Sequence, residues 1–460
     1  ENKYISVEDR DRGLFNVHPW SLTGGDATGL ASLIELNTKV RLSQCVESIG
    51  ITCFTLEDDV YLIPKMKLSS SFLELSDVKA MAQGDGVRSW SQKYENYVVF
   101  PYSERFTPLK MTGKFRLYRY LWQFRSNLSN SKMFGSKTKV ESGLDWFEFG
   151  RLTSSKLINP LSITFPFVAT HNHFFLNKGG AVFNRTSPVI KLSSEKIEGD
   201  YLSLLGYLNS SVAGFWGRQV LFPKGGFSEG KWEERLEWDA TKLQRFPIPN
   251  ALEKVANESV RLLAGHSQVE NLAKKIDSLA QELSSHLPSN VLVSLEGNNV
   301  KQALEGAQTK ANNVRAKMVA LQEELDWLCY QAYGLLSEAL VYEGELPAVQ
   351  VGERAFEIKL AQELAENGGS NAWFTRHDAT QTTEFPAEWP EAYKTLIENR
   401  LTVMETERFI KLIEKPEFKR RWMSLEWEKQ EQEALKNWLL AFLEKASFDE
   451  LQPGLITCAQ

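Results

Sequence analysis

Val300, Leu304, Ala307, Ala311, Val314, Met318, Leu321, Leu325 and Leu328 step by three and four residues, a 3.5-residue period held over four heptads. No strand can bury that pattern, because strand side chains alternate with a period of two. Val269, Leu272, Ile276, Leu279 and Leu283 form a second seam of the same kind, and Pro288-Ser-Asn290 and Gly297-Asn-Asn299 break the chain between them. The two seams are expected to pair as an antiparallel coiled-coil hairpin over residues 251–330. Ala307 and Ala311 would let the helices approach closely.

The period differs on either side. Residues 65–250 alternate short strand-like runs with turns: Tyr97-Val-Val-Phe100, Leu157-Ile158, Ile163 to Ala169, Phe174 to Leu176, Ala181 to Phe183 and Val189 to Leu192. Among them sits a helix capped by Asp200, with Tyr201, Leu204, Leu205, Leu208, Val212 and Phe215 on one face. Residues 331–460 read as helical and rich in Trp, with one stripe at Tyr393, Leu396, Ile397, Leu401 and Met404. Another runs through Leu435, Trp438, Leu439, Phe442 and Leu443, and Pro416 separates the two. Residues 1–64 hold only a short helix after Gly24-Gly25-Asp26 and two strand-like runs, Gln44 to Phe54 and Val60 to Pro64. Too short to bury themselves, they are expected to dock on a neighbouring sheet. A chain opening at Glu1 rather than Met is also expected to be a fragment. The fold class expected is therefore multidomain: an α+β domain (65–250), a coiled-coil helical hairpin (251–330) and a mainly α C-terminal domain (331–460).

Charge separates these parts. Residues 1–250 hold 31 Lys and Arg against 26 Asp and Glu, and residues 251–460 hold 22 against 33, inside a net charge of −6. A polyanion surface is expected in the first half, and a protein-partner role in the acidic second half. Cys45, Cys53, Cys329 and Cys458 are scattered, with no Cys-x-x-Cys pair, which argues against a zinc module or disulfide framework and for a reducing cytoplasm. No apolar run approaches the roughly 20 residues that a membrane helix needs, so no membrane is expected as a partner.

The basic excess concentrates between Arg88 and Lys156, with thirteen cations against five carboxylates, interleaved with aromatic residues. Lys and Arg meeting phosphates and releasing counterions drive DNA binding, so double-stranded DNA is the expected partner. The candidate DNA-binding residues are Arg105, Lys114, Arg116, Arg119, Arg125, Lys132, Lys137, Lys139, Arg151 and Lys156, with Asn172 and His173 added from a strand end. The bland alternative for the cations is a solvated helix face. His171-Asn172-His173 could begin a metal site, but no third ligand is evident, and no metal is expected. Glu353 to Lys359 and Glu417-Phe-Lys419 contain Glu-x-Lys, the tail of a nuclease signature that is common by chance. There is no glycine-rich nucleotide turn, no Asn-Pro-Pro-Tyr type tetrapeptide and no Gly-Lys-Ser/Thr loop, so no catalytic residue is assigned and no cofactor is expected in this chain.

Glu95-Asn-Tyr-Val-Val-Phe-Pro-Tyr102, Tyr118-Arg-Tyr-Leu121, Trp146-Phe-Glu-Phe-Gly-Arg151, Lys156-Leu-Ile-Asn-Pro160, Tyr201 to Ser210 and Phe246-Pro-Ile-Pro249 resemble, in order, the target-recognition domain of type IIG restriction-modification enzymes. Phe15 to Leu22, Glu47 to Asp59, Gln322-Glu-Glu-Leu-Asp-Trp327, Tyr333-Gly-Leu335, Gly352-Glu-Arg-Ala-Phe-Glu357 and Pro416 to Gln430 narrow the resemblance. Together they are similar to the C-terminal part of the PglX family, adenine-specific DNA methyltransferases of type 2 bacteriophage exclusion (BREX) systems. That resemblance implies a parent protein using S-adenosylmethionine, partners among other BREX proteins, and a catalytic half lying before Glu1. The alternative is a scaffold subunit of a defence complex that does not touch DNA.

Overall fold

The computed structural model describes residues 12–15, 26–68, 73–112, 115–225, 234–250, 266–295, 299–367, 372–422 and 425–457. The expectations on Lys114, Gly24-Gly25, residues 251–265 and Cys458 fall outside them. In chain order the larger elements begin with helix α1 (Ala27–Leu36) and strands β1 (Val46–Gly50), β2 (Cys53–Phe54), β3 (Leu62–Pro64), β4 (Val78–Ala82) and β5 (Asn96–Val99). Helices α2 (Phe115–Trp122) and α3 (Arg125–Asn130) precede strands β6 (Arg151–Leu152), β7 (Ser162–Thr164), β8 (Phe175–Asn177), β9 (Ala181–Phe183) and β10 (Val189–Leu192). The remainder is mainly helical: α4 (Glu198–Leu208), α5 (Ser211–Val220), α6 (Ser267–Ser285), α7 (Pro288–Val293), α8 (Val300–Ala332), α9 (Ala355–Asn367), α10 (Ala372–His377), α11 (Glu391–Thr406), α12 (Arg408–Ile413) and α13 (Trp427–Thr457).

Two four-stranded sheets organise the first half. One, in the order β8-β7-β10-β1, is antiparallel throughout and sets Ile163 opposite Ile190 and Ile190 opposite Ile49. The other, β9-β4-β5-β3, is antiparallel except where β9 runs parallel to β4. The chain passes from one sheet to the other in the turn between β8 and β9. There Gly179 and Gly180 take φ of +117° and +83°, a region that side chains with a Cβ rarely adopt. Thr52 Oγ1 pins the crossing, donating to the Phe183 carbonyl at 2.7 Å and accepting from the Phe183 amide at 3.2 Å.

Each sheet has its own core. The second sheet packs Ile63, Val98 and Val99 against Leu117, Leu121 and Leu128, so α2 and α3 cover it. In α2, Leu117 and Leu121 are one turn apart and fully buried, while Arg116 and Arg119 stay exposed, the 3.6-residue division expected of a helix lying on a sheet. The first sheet shares a larger core with α1, α4, α5, α6, α8 and the C-terminal helices.

Five local expectations are corrected. Leu157-Ile158 lies in a single helical turn (Ser155–Ile158), not a strand, because the Leu157 and Ile158 amides both donate to the Ser154 carbonyl and Pro160 ends the turn. Residues 60–61 likewise close a helical turn (Asp58–Tyr61) before β3 begins. The 201–215 helix is two helices. Asn209 breaks it by exchanging two hydrogen bonds with the Phe174 backbone, and Ser210 then caps α5. Asp200 lies inside the first turn of α4 and accepts from the Ile197 amide at 2.9 Å, rather than serving as the cap. The C-terminal stripe is not core: Trp438, Leu439, Phe442 and Leu443 are exposed on α13.

Both heptad seams fold as helices, with α7 between them. Val269 and Ala273 of early α6 and Leu325 of late α8 all meet Gly206 of α4, so the pair runs antiparallel. From Met318 to Tyr330 every residue of α8 is buried, including Gln322, Glu323, Glu324 and Asp326, so this half of the helix is enclosed on all sides. Gly206 is where α4 meets both helices: a Cβ there would lie 2.7 Å from Val269 Cγ1. Gly206→Ala is expected to cost about 1–3 kcal/mol from overpacking, and Val269→Ala in the same chain to recover part of it. Urea unfolding of the two variants measures this; equal stability of Gly206→Ala and wild type would contradict the packing.

Candidate nucleic-acid interface

The expected cations fall into distinct places. The largest group lies along the seam of β2, β6 and β9. Arg151 on β6 stands opposite Phe54 on β2. The Phe54 ring stacks 6.0 Å from Phe134, and the Arg185 guanidinium lies 5.9 Å from the Phe54 ring. Phe134 is 93% exposed. A tight turn holds it out: Lys132 bridges Thr138, the Met133 amide donates to the Lys137 carbonyl, and Gly135 and Ser136 take positive φ. Lys132 and Lys137 flank the tip and are exposed.

Lys156 extends this region inward. With Lys79 and Phe106 it lines a cleft over the β8–β9 turn, whose other wall carries Asn159, Asn177 and Gly179. Burial, and then the neighbouring Arg151, hold the Lys156 ammonium below its ordinary pKa. Arg105 precedes Phe106 on the rim and is exposed. The structure thus brings together Arg105, Lys132, Lys137, Arg151 and Lys156, and adds Lys79, Arg185, Phe54 and Phe134.

A second group sits on α2 and α3. Arg125 lies 4.5 Å from the Trp122 ring, and Trp122 stacks on Tyr118 at 5.2 Å. Arg116 pairs with Glu74 at 2.9 Å, both well exposed, which is worth little in stability. Arg119 is exposed on the same helix. Among the described residues, Arg105, Arg125, Lys132, Lys137, Arg151 and Lys156 form no ion pair, so their charge is available to a partner.

Three candidates lie elsewhere or are otherwise engaged. Lys139 is fully buried; its Nζ donates to the Glu148 carbonyl at 2.8 Å and lies 5.6 Å from the Tyr61 ring, and burial pushes it down to about 8. Asn172 is buried and donates to the Leu208 and Ser210 carbonyls at 2.8 and 2.9 Å, where it seals the end of α4. His173 is half-buried beside Ser89, with Nδ1 3.1 Å from Oγ, and the cations that act on it are Arg88, Arg420 and Arg421. Arg185 and Phe134 were missed because exposure leaves no trace in composition; only the Gly135-Ser136 turn signal could have marked the Phe134 loop.

The motifs with a nuclease reading are structural. Glu357 accepts from Arg354 Nε and Nη2, the Gly352 amide and Trp373 Nε1, and Lys359 pairs with Glu405. Lys419 is buried among Glu323, Asp326 and Glu414 at 2.9–3.2 Å. Among the described residues no cluster of three or more His, Cys, Asp or Glu suits a metal ion, and no helix is long and apolar enough to cross a membrane.

Comparison with known proteins adds three findings. A family model described as Domain of unknown function (DUF7008) matches residues 318–460. Over 479 aligned residues the chain is 33% identical to the Adenine-specific methyltransferase PglX of Streptomyces coelicolor, which covers all of this chain and 38% of that protein. The chain therefore spans well under half the length of that relative. Among solved structures, the type IIG restriction endonuclease BpuSI superposes with a TM-score of 0.36 at 11% identity, over 65% of this chain and 33% of that one. A superposition this loose carries no argument.

Proposed function

From a chain similar along its whole length to the C-terminal part of PglX, we propose a double-stranded-DNA recognition module of a site-specific adenine DNA methyltransferase acting in BREX phage defence. The observation that carries it is the unneutralised cationic seam: Arg105, Lys132, Lys137, Arg151, Lys156 and Arg185 around the exposed Phe134 and Phe54. Arginine and lysine fix a duplex by its phosphates, and aromatic rings projected on a turn can wedge or stack against bases. In this reading residues 65–250 are the target-recognition domain. Residues 1–64 dock it to the methyltransferase core, and the 251–330 coiled-coil hairpin and the 331–460 helical domain hold partner proteins of the same system.

Methyl transfer belongs to the remainder of the parent protein. S-adenosylmethionine would supply the methyl group there. The two clefts described in this chain do not fit it, since its sulfonium cation would face Arg420, Arg421 and His173 in one and Lys79 and Lys156 in the other. No step of catalysis is assigned to these residues.

Arg151→Gln with Lys156→Gln is expected to weaken binding to all duplexes alike and to reduce the slope of log K against log salt by about 2, one per phosphate contact. Fluorescence anisotropy over a salt series, with random and host-derived duplexes, measures it. The exposed apolar residues of α13, Trp438, Leu439, Phe442 and Leu443, favour a second reading, a scaffold subunit. Weak binding by the wild-type chain, flat with salt and indifferent to sequence, would establish that reading over DNA recognition.

A further inference from the structure

A polar cleft lies where the first sheet meets the segment after Pro416, and the DNA reading above makes no use of it. Ser89, His171, His173, Ser210, Arg420 and Arg421 are among its walls. Arg420 is held in place from two sides: Nη2 donates to the Ser89 carbonyl at 2.9 Å, and the guanidinium lies 4.0 Å from the Trp422 ring. Its Nε and Nη1 are out of reach of solvent and have no hydrogen-bond acceptor among the described residues, and the same holds for Nε2 of His171. With Thr170 Oγ1 3.3 Å from the other ring nitrogen, the His171 tautomer protonated at Nε2 presents a donor.

Positive groups predominate around these donors. Arg218, Arg421, His173 and His377 surround His171; Arg88, Arg420 and Arg421 surround His173. Burial first, and the neighbouring arginines second, hold both imidazoles neutral, with His173 down to about 3. Burial and then Arg354 push the Arg420 guanidinium down to about 9. A guanidinium stays charged in proteins; burial and Arg354 oppose that charge here, and Asp326 favours it. Asp326, the carboxylate that acts on Arg420, is engaged by Lys419 at 3.1 Å and by the Ser211 amide and hydroxyl at 2.8 and 2.6 Å. Leaving charged buried donors unmet is costly, and an oxyanion meets them.

We propose that this cleft is a phosphoryl-binding site, with Arg420 as its main ligand and His171 Nε2 as a further donor, and that it takes a backbone phosphate of the duplex. The proposal rests on the DNA reading for its source and on the cleft alone for its chemistry. A phosphate here would clamp the duplex between the first sheet and the C-terminal region.

The test uses the whole chain. Thermal unfolding is followed in sodium phosphate and in sodium chloride of equal ionic strength, for wild type, Arg420→Gln and Arg420→Lys, with the imidazole pKa of His171 and His173 read by NMR. A site predicts stabilisation by phosphate beyond chloride of about 2–3 °C at a hundredfold excess over Kd, a rise in both imidazole pKa values, and loss of both effects in Arg420→Gln. Duplex binding by Arg420→Gln should then weaken about tenfold, with a salt slope smaller by about 1. Arg420-dependent phosphate stabilisation with unchanged duplex affinity supports the site and overturns the backbone assignment, leaving a free phosphate as its ligand. The same stabilisation in a chain that binds no duplex at all supports the site while the DNA reading fails. If Arg420→Gln does not fold, the wild-type titration decides: phosphate no better than chloride overturns the proposal.

Discussion

Lys419→Met is expected to destabilise the protein by about 3–5 kcal/mol at pH 8, the loss that follows when one partner of a buried ion cluster is removed. Lys419 Nζ is fully buried and stands 3.2 Å from Glu323, 3.1 Å from Asp326 and 2.9 Å from Glu414; Tyr330 donates to Glu414, and Asp326 caps the start of α5. Methionine fills the volume and leaves three carboxylates facing each other in a dry interior. Burial raises Glu323 above the ordinary carboxylate range, to about 7 even with Lys419 present. A carboxyl raised in the folded state contributes stability below its unfolded pKa and loses it as pH rises through the folded value. The deficit of Lys419→Met should therefore shrink at pH 5 and grow toward pH 8, and Glu323→Gln in the variant should restore part of it. Urea unfolding at the two pH values measures both. A variant within 1 kcal/mol of wild type at pH 8 would falsify the ionic account of this cluster.

Acid should unfold the protein through three histidines. Burial holds His171 well below its ordinary pKa, His173 at about 3 and His377 at about 4. A depressed imidazole contributes stability above its unfolded pKa, near 6.5, and loses it as pH falls toward the folded value. At pH 4 the loss is about 3 kcal/mol for His173 and for His377, and His171 adds to it in the same direction, on the order of a domain's whole stability. Glu323 acts in the opposite direction over the same window and offsets about one of the three protons. Unfolding free energy measured from pH 7 to pH 4 should fall with a slope near two protons. Replacing His377 by Gln should remove about one; a profile flat over that range would show that the imidazoles are hydrated or protonated in the folded state.

Much of the helical half was legible. Leu304, Ala307, Ala311, Val314 and Met318 are buried along one line, as their spacing requires, because a helix repeats its faces whatever surrounds it. The full enclosure of Gln322, Glu323, Glu324 and Asp326 was not legible. Their burial depends on Lys419 and Arg400, which lie 76 to 96 residues away in the chain and supply the opposite charge. The same limit applies to the candidate interface. Lys139 and Lys137 are indistinguishable in composition, yet one is spent on Glu148 and the other flanks an exposed turn. Arg420 and Arg421 lie in the Pro416 to Gln430 motif, which named no role for them; the convergence of Ser89, the 171–173 segment and the start of α5 places them in a cleft.

What the amino-acid order determined alone is whatever depends on near neighbours: the helical seams, most of the strand runs, the concentration of cations between Arg88 and Lys156, and the ordered motifs that carry the resemblance to PglX. Helix and strand periods, turn residues and local charge are all set within a few positions. Tertiary structure decided which cations reach solvent, where α4 breaks from α5, and which polar side chains meet in the cleft at Arg420. Those outcomes follow from desolvation and from partners far apart in the chain, and a side chain's cost of burial exists only once the rest of the molecule has surrounded it.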